Sequence, residues 1–431
     1  MQHAIQIAVA AGLEASVSPI VDYDWDLLQS RYGDDGLATA QIGANFTDSQ
    51  WQEWFSSYQD VVLPYYSAAT AAGASMLVVG SGMDSSFVSQ QSRWLALCSH
   101  AKSAATQRSP EKIGATTPMV TIAAGPSAFA SLPPSFWDDP SIDIIGLAAW
   151  FDFPFVNKSS SLADDLADGW RTEVIPMIEH TLASMQHPKQ VLVLEYGVQS
   201  RPNAFHSARG ESRPDEGDCS GWLECYDMDA QAESYEGFLR AMTPKSWFAG
   251  VYWWLVRADP SAGGTCDSDY TPAAKPAAAV VRRWYGFGIE STMSASVGAT
   301  GEIARMPGGL DLVDWSLFKR SNGSAIERES DLTDAPRLEE VAPGTGAVVN
   351  ARYAAINRAV ESRDARRLPA GLKMRNDSIN GFVFGGAAEW SSPAWRYDSP
   401  GAAESLRMAK ATGANAVEII VQWFCELYGV I

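Results

Sequence analysis

Four apolar residues, Val191-Leu192-Val193-Leu194, run straight into Glu195-Tyr196-Gly197. A run of this kind suits a buried strand of a parallel sheet, and ligands of such sheets gather beyond the carboxyl ends of the strands. Glu195 therefore stands where a carboxylate can attack a substrate or move a proton, and it is the first catalytic candidate. A Glu in a strand-to-loop turn is also an ordinary solvated acid, so its surroundings must decide between the two. Metal chemistry has no comparable support. The five histidines are scattered with no H-x-x-x-H pair, and Cys98, Cys219, Cys225, Cys266 and Cys425 follow neither a zinc-ribbon nor a disulfide-scaffold spacing. No metal and no other cofactor is expected. Cys219 can pair with Cys225 or Cys266 if their loops face one another. The N-x-S/T triplets at Asn45, Asn157, Asn322 and Asn376 carry little weight without an export signal.

The elements that must position Glu195 alternate between strand and helix. A short helix over Ala4 to Gly12 leads into a strand over Leu13 to Val21, which ends in Asp22-Tyr23-Asp24-Trp25. Thr47 or Asp48 caps a long amphipathic helix, Trp51 to Ala72, and Gly73 ends it. Strands follow at Ser75 to Gly80, Met119 to Ala124, Ile142 to Trp150, Gln190 to Gly197 and Phe248 to Val256. Helices fall at Gln90 to Ala105, Leu162 to Met185, Ala230 to Met242 and Lys275 to Tyr285. This alternation predicts a parallel α/β fold.

Residues 1–290 thus hold six strands, two short of a closed eight-stranded barrel. The tail supplies two more, Ile379 to Gly385 and Ala416 to Phe424, with a helix over Pro400 to Gly413 between them. The expected fold is a (β/α)8 TIM barrel assembled from 1–290 and 379–431. Between these parts, 291–378 is rich in Gly, Ser, Pro and mixed charge, with one helical patch from Val349 to Arg363, and it reads as a linker or appended lobe.

Composition narrows the partners. A chain of 431 residues, 46% hydrophobic and with 16 Trp, can bury a sizeable core. Its formal net charge of -19 repels phosphate backbones and anionic lipid surfaces, which argues against nucleic acid and membrane roles. No apolar stretch approaches the roughly 20 residues that span a bilayer. Met1 to Ala15 lacks a basic leader region and reads as an amphipathic helix rather than a signal peptide. A monomer acting on a neutral substrate is the expectation.

Several segments carry a family resemblance. Leu13 to Trp25, Phe46 to Ser86, Ile142 to Phe151, Val191 to Ser200 and Gly250 to Trp284 resemble the third to eighth strand-helix units of glycoside hydrolase family 113, the β-mannanase-like branch of clan A. Gly381-Phe382-Val383-Phe384-Gly385-Gly386, Ser391-Ser392-Pro393 and Glu404-Ser405-Leu406 through Ala411-Thr412-Gly413-Ala414-Asn415 resemble that family's first strand and helix. The likeness covers most of the chain in a shifted order, as in a circularly permuted barrel or a cut from a tandem array. Permutation is tolerated when the old termini lie close together and the new ones fall in a loop.

The resemblance implies hydrolysis of β-linked sugar polymers with retention, by two carboxyl groups about 5–5.5 Å apart. Glu195 matches the nucleophile. The acid/base Glu of the family falls within Val79-Gly80-Ser81-Gly82-Met83, where Gly82 occupies its place. Loss of a general acid lowers the rate by about 10²–10⁴. Asp84, two residues on, is a weak substitute. Glu389, Glu426, Asp22 and Asp24 sit at strand ends, where they can hydrogen-bond sugar hydroxyls or simply be solvated or cap turns. Trp25, Trp150, Trp254, Trp390 and Trp423 also fall at strand ends, where flat rings can stack on pyranoses. By the resemblance, Trp254 in Val251-Tyr252-Trp253-Trp254 lines the sugar site, and Trp150 stands where Tyr is usual. Two classes of function follow: a retaining glycoside hydrolase acting on β-linked polysaccharide such as β-mannan, or a non-catalytic carbohydrate-binding relative that has lost its proton donor. The resemblance also allows an extracellular setting.

Overall fold

Eight short apolar runs pair side by side in chain order and close on themselves. They are β1 (Glu14–Tyr23), β2 (Met76–Ser81), β3 (Met119–Ala124), β4 (Ile145–Ala148), β5 (Val191–Tyr196), β6 (Phe248–Val256), β7 (Ile379–Phe384) and β8 (Ala416–Cys425). The computed structural model describes residues 1–23, 43, 46–106, 117–153, 161–206, 227–260, 262–264, 267–285, 374–375, 377–385, 396–397 and 399–425, without the side chains of 22–23 and 422–425. All eight pairings are parallel. With helices between most of the strands, this is the expected (β/α)8 barrel. The two strands from the tail occupy the gap between β6 and β1. The join is extensive, for β8 and β1 stay in register from Glu14 opposite Ala416 to Tyr23 opposite Cys425.

Parity along the strands sets two cores. Met76, Val78, Ala123, Leu192, Leu194, Val383, Ala416 and Ile420 fill the lumen. Their neighbours Leu77, Val79, Val120, Ile122, Val191, Val193, Val417 and Ile419 face the surrounding helices. Alternate residues of a strand project to opposite faces, so both faces of these runs must be apolar.

The outer layer follows local signals. Helix α1 (Gln2–Ala10) precedes β1. Helix α2 (Asp48–Ala72) starts at Thr47, whose hydroxyl accepts from the Gln50 N–H while the Gln50 side chain accepts from the Thr47 N–H. This reciprocal box satisfies two N-terminal donors. At the other end Gly73 takes a left-handed conformation, with φ 103°. The buried Tyr58 and Tyr66 of α2 donate their hydroxyls to the carbonyls of Val79 and Val78 on β2. Helices α3 (Asp84–Ser89) and α4 (Gln91–Thr106) come next, and Trp94 of α4 packs against Phe55 and Phe87.

Three local features differ from the sequence expectations. The strand expected over 142–150 is regular only over β4. Between β3 and β4, where no helix is foreseen, lie α5 (Pro126–Ser131) and α6 (Pro134–Trp137), each with Pro in its first turn. Proline there gives up an N–H that would be unpaired anyway, so a Pro-rich stretch can be helical. The expected helix over 162–185 is instead α7 (Leu162–Gly169), a π turn (Trp170–Val174) and α8 (Ile175–Ser184). Pro176 sits just past the turn and has no N–H to continue the regular ladder. Helices α9 (Met228–Met242), α10 (Pro276–Trp284) and α11 (Pro400–Ala411) complete the layer.

Close approach of neighbouring strands requires glycine in β6. Gly250 of β6 has φ 145°, and a Cβ there would lie 1.9 Å from the Ile379 carbonyl oxygen of β7. Most of the 291–378 segment lies outside the described residues, as do Asp24, Trp25, Cys219, Cys225, Cys266, Glu389, Trp390, Glu426 and the four glycosylation-type asparagines. No helix among the described residues is long and apolar enough to cross a membrane.

Candidate active site

Simple alternation along β5 would turn Glu195 outward. Val191 and Val193 face the helices and Leu192 and Leu194 face the lumen, so residue 195 should follow Val193. The pairing shows why it does not. Leu147 and Ala148 of β4 are opposite Val193 and Glu195, which leaves Leu194 as an extra residue. A second irregularity, between Val193 and Tyr196, appears on the β6 side. Such a bulge re-aims the following side chain. Glu195 turns inward, and Tyr196 turns out against Trp170 and Phe238.

Strand β2 carries the matching irregularity between Val78 and Ser81. It brings Ser81 inward, and the Ser81 hydroxyl donates to Glu195 Oε1. The Trp150 indole N–H, just past β4, donates to Glu195 Oε2 at 2.8 Å. Both carboxylate oxygens therefore have a donor, and the group is only 7% exposed. Hydrogen bonds to a charged group are stronger than neutral ones and fix its orientation.

Of the five rings expected at strand ends, the structure describes the side chains of Trp150 and Trp254. Trp150 and Trp254 meet edge to face at 5.9 Å, and Tyr270 meets Trp150 at 5.8 Å. These three sit on the lumen cluster and crowd the Glu195 side of the barrel mouth. The neighbouring Trp253 faces the other way, stacks on Tyr235 and donates to the Tyr285 hydroxyl. Trp25, Glu389 and Trp390 lie outside the described residues, and so do the side chains of Asp22 and Trp423.

A buried lysine fixes Tyr270. Lys275 Nζ donates to the Ser200 hydroxyl at 2.9 Å, the Asp269 carbonyl at 2.7 Å and Asp267 Oδ1 at 3.2 Å. Gln231 of α9 donates to the carbonyls of Val198 and Tyr270. These bonds tie the loop after β6 to the loop after β5. Burial pulls the Lys275 ammonium down to about 8, while Asp267 works in the opposite direction.

Gly82 and Asp84 occupy the loop after β2. Gly82 has φ 70°, and a Cβ built on it meets nothing within 4 Å. Asp84 opens α3, and its two oxygens accept from the Gly125 N–H and the Ser127 hydroxyl, both at 2.8 Å. The weak acid/base candidate thus ties this loop to the start of α5.

One buried acid escapes the sequence reading. Glu418 is the only charge in the described apolar part of β8, and it shares the lumen face with Ala416 and Ile420. It is 0% exposed, and neither of its oxygens makes a hydrogen bond of regular geometry. Burial, then the negative charge of Glu195, pushes this carboxyl well above its ordinary range, and the Ser18 hydroxyl beside it acts weakly against them. Parity from Ala416 would have placed Glu418 in the lumen. Ser81 and Tyr270 carry no such sequence signal. Among the described residues no group of three or more His, Cys, Asp or Glu could hold a metal ion.

Comparison with known proteins finds likeness over part of the chain. Residues 1–106 match the model of Glycoside Hydrolase Family 113. No curated protein matches the chain. Among solved structures, it is similar to a GH113 β-mannanase from Alicyclobacillus acidocaldarius in complex with ManMIm, with 22% identity and a TM-score of 0.39, covering 53% of this chain and 60% of that one. It is also similar to a GH113 β-1,4-mannanase, with 20% identity and a TM-score of 0.43, covering 63% of this chain and 74% of that one. The chain thus spans 60% of the length of the Alicyclobacillus enzyme. The closed eight-stranded barrel and the match over 1–106 fit a GH113-like TIM barrel.

Proposed function

We propose that the chain is a glycoside hydrolase-like barrel that acts on β-linked polysaccharide such as β-mannan, with Glu195 as the nucleophile. The observation that carries this reading is the inward turn of Glu195, held by Ser81 and Trp150 beneath the Trp150–Trp254–Tyr270 rings. A retaining mechanism needs one carboxylate to attack the anomeric carbon and a second carboxyl to protonate the leaving oxygen. Glu195 suits the first task, because both of its oxygens are oriented by donors. The matched segment 1–106 contains Ser81, Gly82 and Asp84 and ends before Glu195, so the role of Glu195 rests on its geometry.

The second task has no carboxyl at Gly82, and Asp84 has donors on both oxygens. These observations support a barrel that handles leaving groups needing no protonation and is slow on its natural polymer. They also favour a second reading, a carbohydrate-binding barrel without turnover. The permuted or tandem-cut order of the strand-helix units belongs to the same proposal.

An activated aryl β-mannoside should release a burst of phenolate, and Glu195→Gln should abolish it. Plain β-mannan should turn over slowly, if at all. Calorimetric titration with manno-oligosaccharides separates the two readings, since the binding barrel takes them up without a burst from the aryl glycoside. Rapid hydrolysis of mannan would refute the reading of Gly82. A burst that persists in Glu195→Gln would refute the role of Glu195.

A further inference from the structure

The strands that line the lumen carry charge of one sign only. None of the eight contains Lys, Arg or His, and their acids are Glu14, Asp22, Glu195 and Glu418. Glu14 is exposed at the amino end of β1. Glu195 and Glu418 are both buried, one 7% and the other 0% exposed. Two like charges in such a space, without a cation on any strand, are strongly disfavoured, and a proton is the simplest means of removing one.

The donors decide which carboxyl keeps the charge. Glu195 accepts from the Ser81 hydroxyl and the Trp150 N–H. The groups facing Glu418 are poorer. On β1, Ser16 is its register partner, and the Ser16 hydroxyl is bonded to the Tyr252 hydroxyl of β6 at 2.7 Å. Ser18 lies beside it without a hydrogen bond of regular geometry. On β7 the register partner is the apolar Val383. From β5 comes the charge of Glu195 itself.

We propose that Glu195 and Glu418 share a single negative charge across the barrel lumen, with the proton held on Glu418 and the charge left on Glu195. Glu418 is then a positioning residue that acts through Glu195. The charge assignment rests on the lumen geometry, and only its use in catalysis rests on the proposed glycosidase reading. In that use, the Ser81 and Trp150 donors keep Glu195 in its attacking carboxylate form, and the protonated Glu418 leaves it the one charged carboxyl of the pair. Paired carboxyls whose surroundings push their proton affinities apart are a common way to assign such roles.

Carbon-13 NMR of the full-length protein labelled at the glutamate side-chain carboxyl tests the pair without any substrate. In the wild type, one resonance should stay at the protonated position over the range where surface glutamates ionise, and it should vanish in Glu418→Gln. In Glu195→Gln the same resonance should titrate at a pH lower by about one unit or more, because the neighbouring charge is gone. A structural role alone would leave that midpoint unmoved. The proposal is overturned if every glutamate titrates in the ordinary range, or if the late resonance keeps its midpoint in Glu195→Gln. The wild-type and Glu195→Gln spectra decide this even if Glu418→Gln fails to fold. Absence of an aryl-mannoside burst from the wild-type protein would sink the glycosidase reading and leave this result standing.

Discussion

Replacing Glu418 by Gln should stabilise the protein by an amount that grows with pH. The side chain is fully buried, and burial together with the charge of Glu195 raises its folded-state proton affinity far above that of an exposed carboxyl. In the unfolded chain Glu418 ionises at about 4.3. Between that pH and the raised folded value, the folded state binds one proton more than the unfolded state. Stability therefore falls as pH rises through this window, by about 1.4 kcal/mol per pH unit for one proton. Gln is close in size, stays neutral and removes the linkage. Below the window the two proteins should be nearly equal in stability, and each further unit of pH should widen the gap in favour of Glu418→Gln. Urea unfolding followed by tryptophan fluorescence, repeated from about pH 5 upward in unit steps, measures the difference directly. The pH at which the gap stops widening is the folded-state midpoint of Glu418. Parallel stability curves would refute the reasoning, because they would mean that Glu418 exchanges its proton as readily inside the barrel as outside it.

Three other substitutions probe the site and its support. Gly82→Glu should raise mannan hydrolysis by about 10²-fold or more if the cleft accepts the polymer; the left-handed backbone should cost only about 1–2 kcal/mol in the melting curve, since nothing stands within 4 Å of the new Cβ. Trp150→Phe keeps a ring but removes the N–H bound to Glu195, and it should slow the aryl-mannoside burst by about 10–100-fold with little change in Tm; an unchanged burst would show that this bond does not serve the carboxylate. Gly250→Ala would force a methyl into the Ile379 carbonyl, so it should lower Tm by many degrees or prevent folding, and a protein of normal Tm would contradict the described β6–β7 contact.

Much of the barrel is legible because its strands are buried on both faces. Continuous runs such as Met76–Val79 and Val191–Leu194 announce themselves by apolarity alone, and strand-helix alternation then fixes the class. The tail strands are recognised for the same reason, so closure by β7 and β8 follows from counting. What apolarity cannot reveal is phase. Glu195 faces inward because of an extra residue in β5, and Ser81 meets it because of another in β2. Nothing in Leu-Glu-Tyr or Gly-Ser-Gly marks a bulge, since its cause lies in the pairing with neighbouring strands. Phase also separates adjacent rings. Trp253 and Trp254 are adjacent, yet Trp254 meets Trp150 across the lumen cluster while Trp253 stacks on Tyr235 of α9. Glu418 is the opposite case. A lone acid in an apolar strand is visible, and parity from Ala416 would have placed it in the lumen, but an apolar run invites attention to its end rather than its middle.

The ten-residue register between β1 and β8 has a consequence for biosynthesis. A ribosome releases β1 to β6 long before residues 379–425 exist, so the nascent sheet waits with two raw margins. Unpaired margins template pairing with other chains. Until the last two strands arrive to seal them, those margins stay open, and slow elongation through the intervening residues would prolong that exposure.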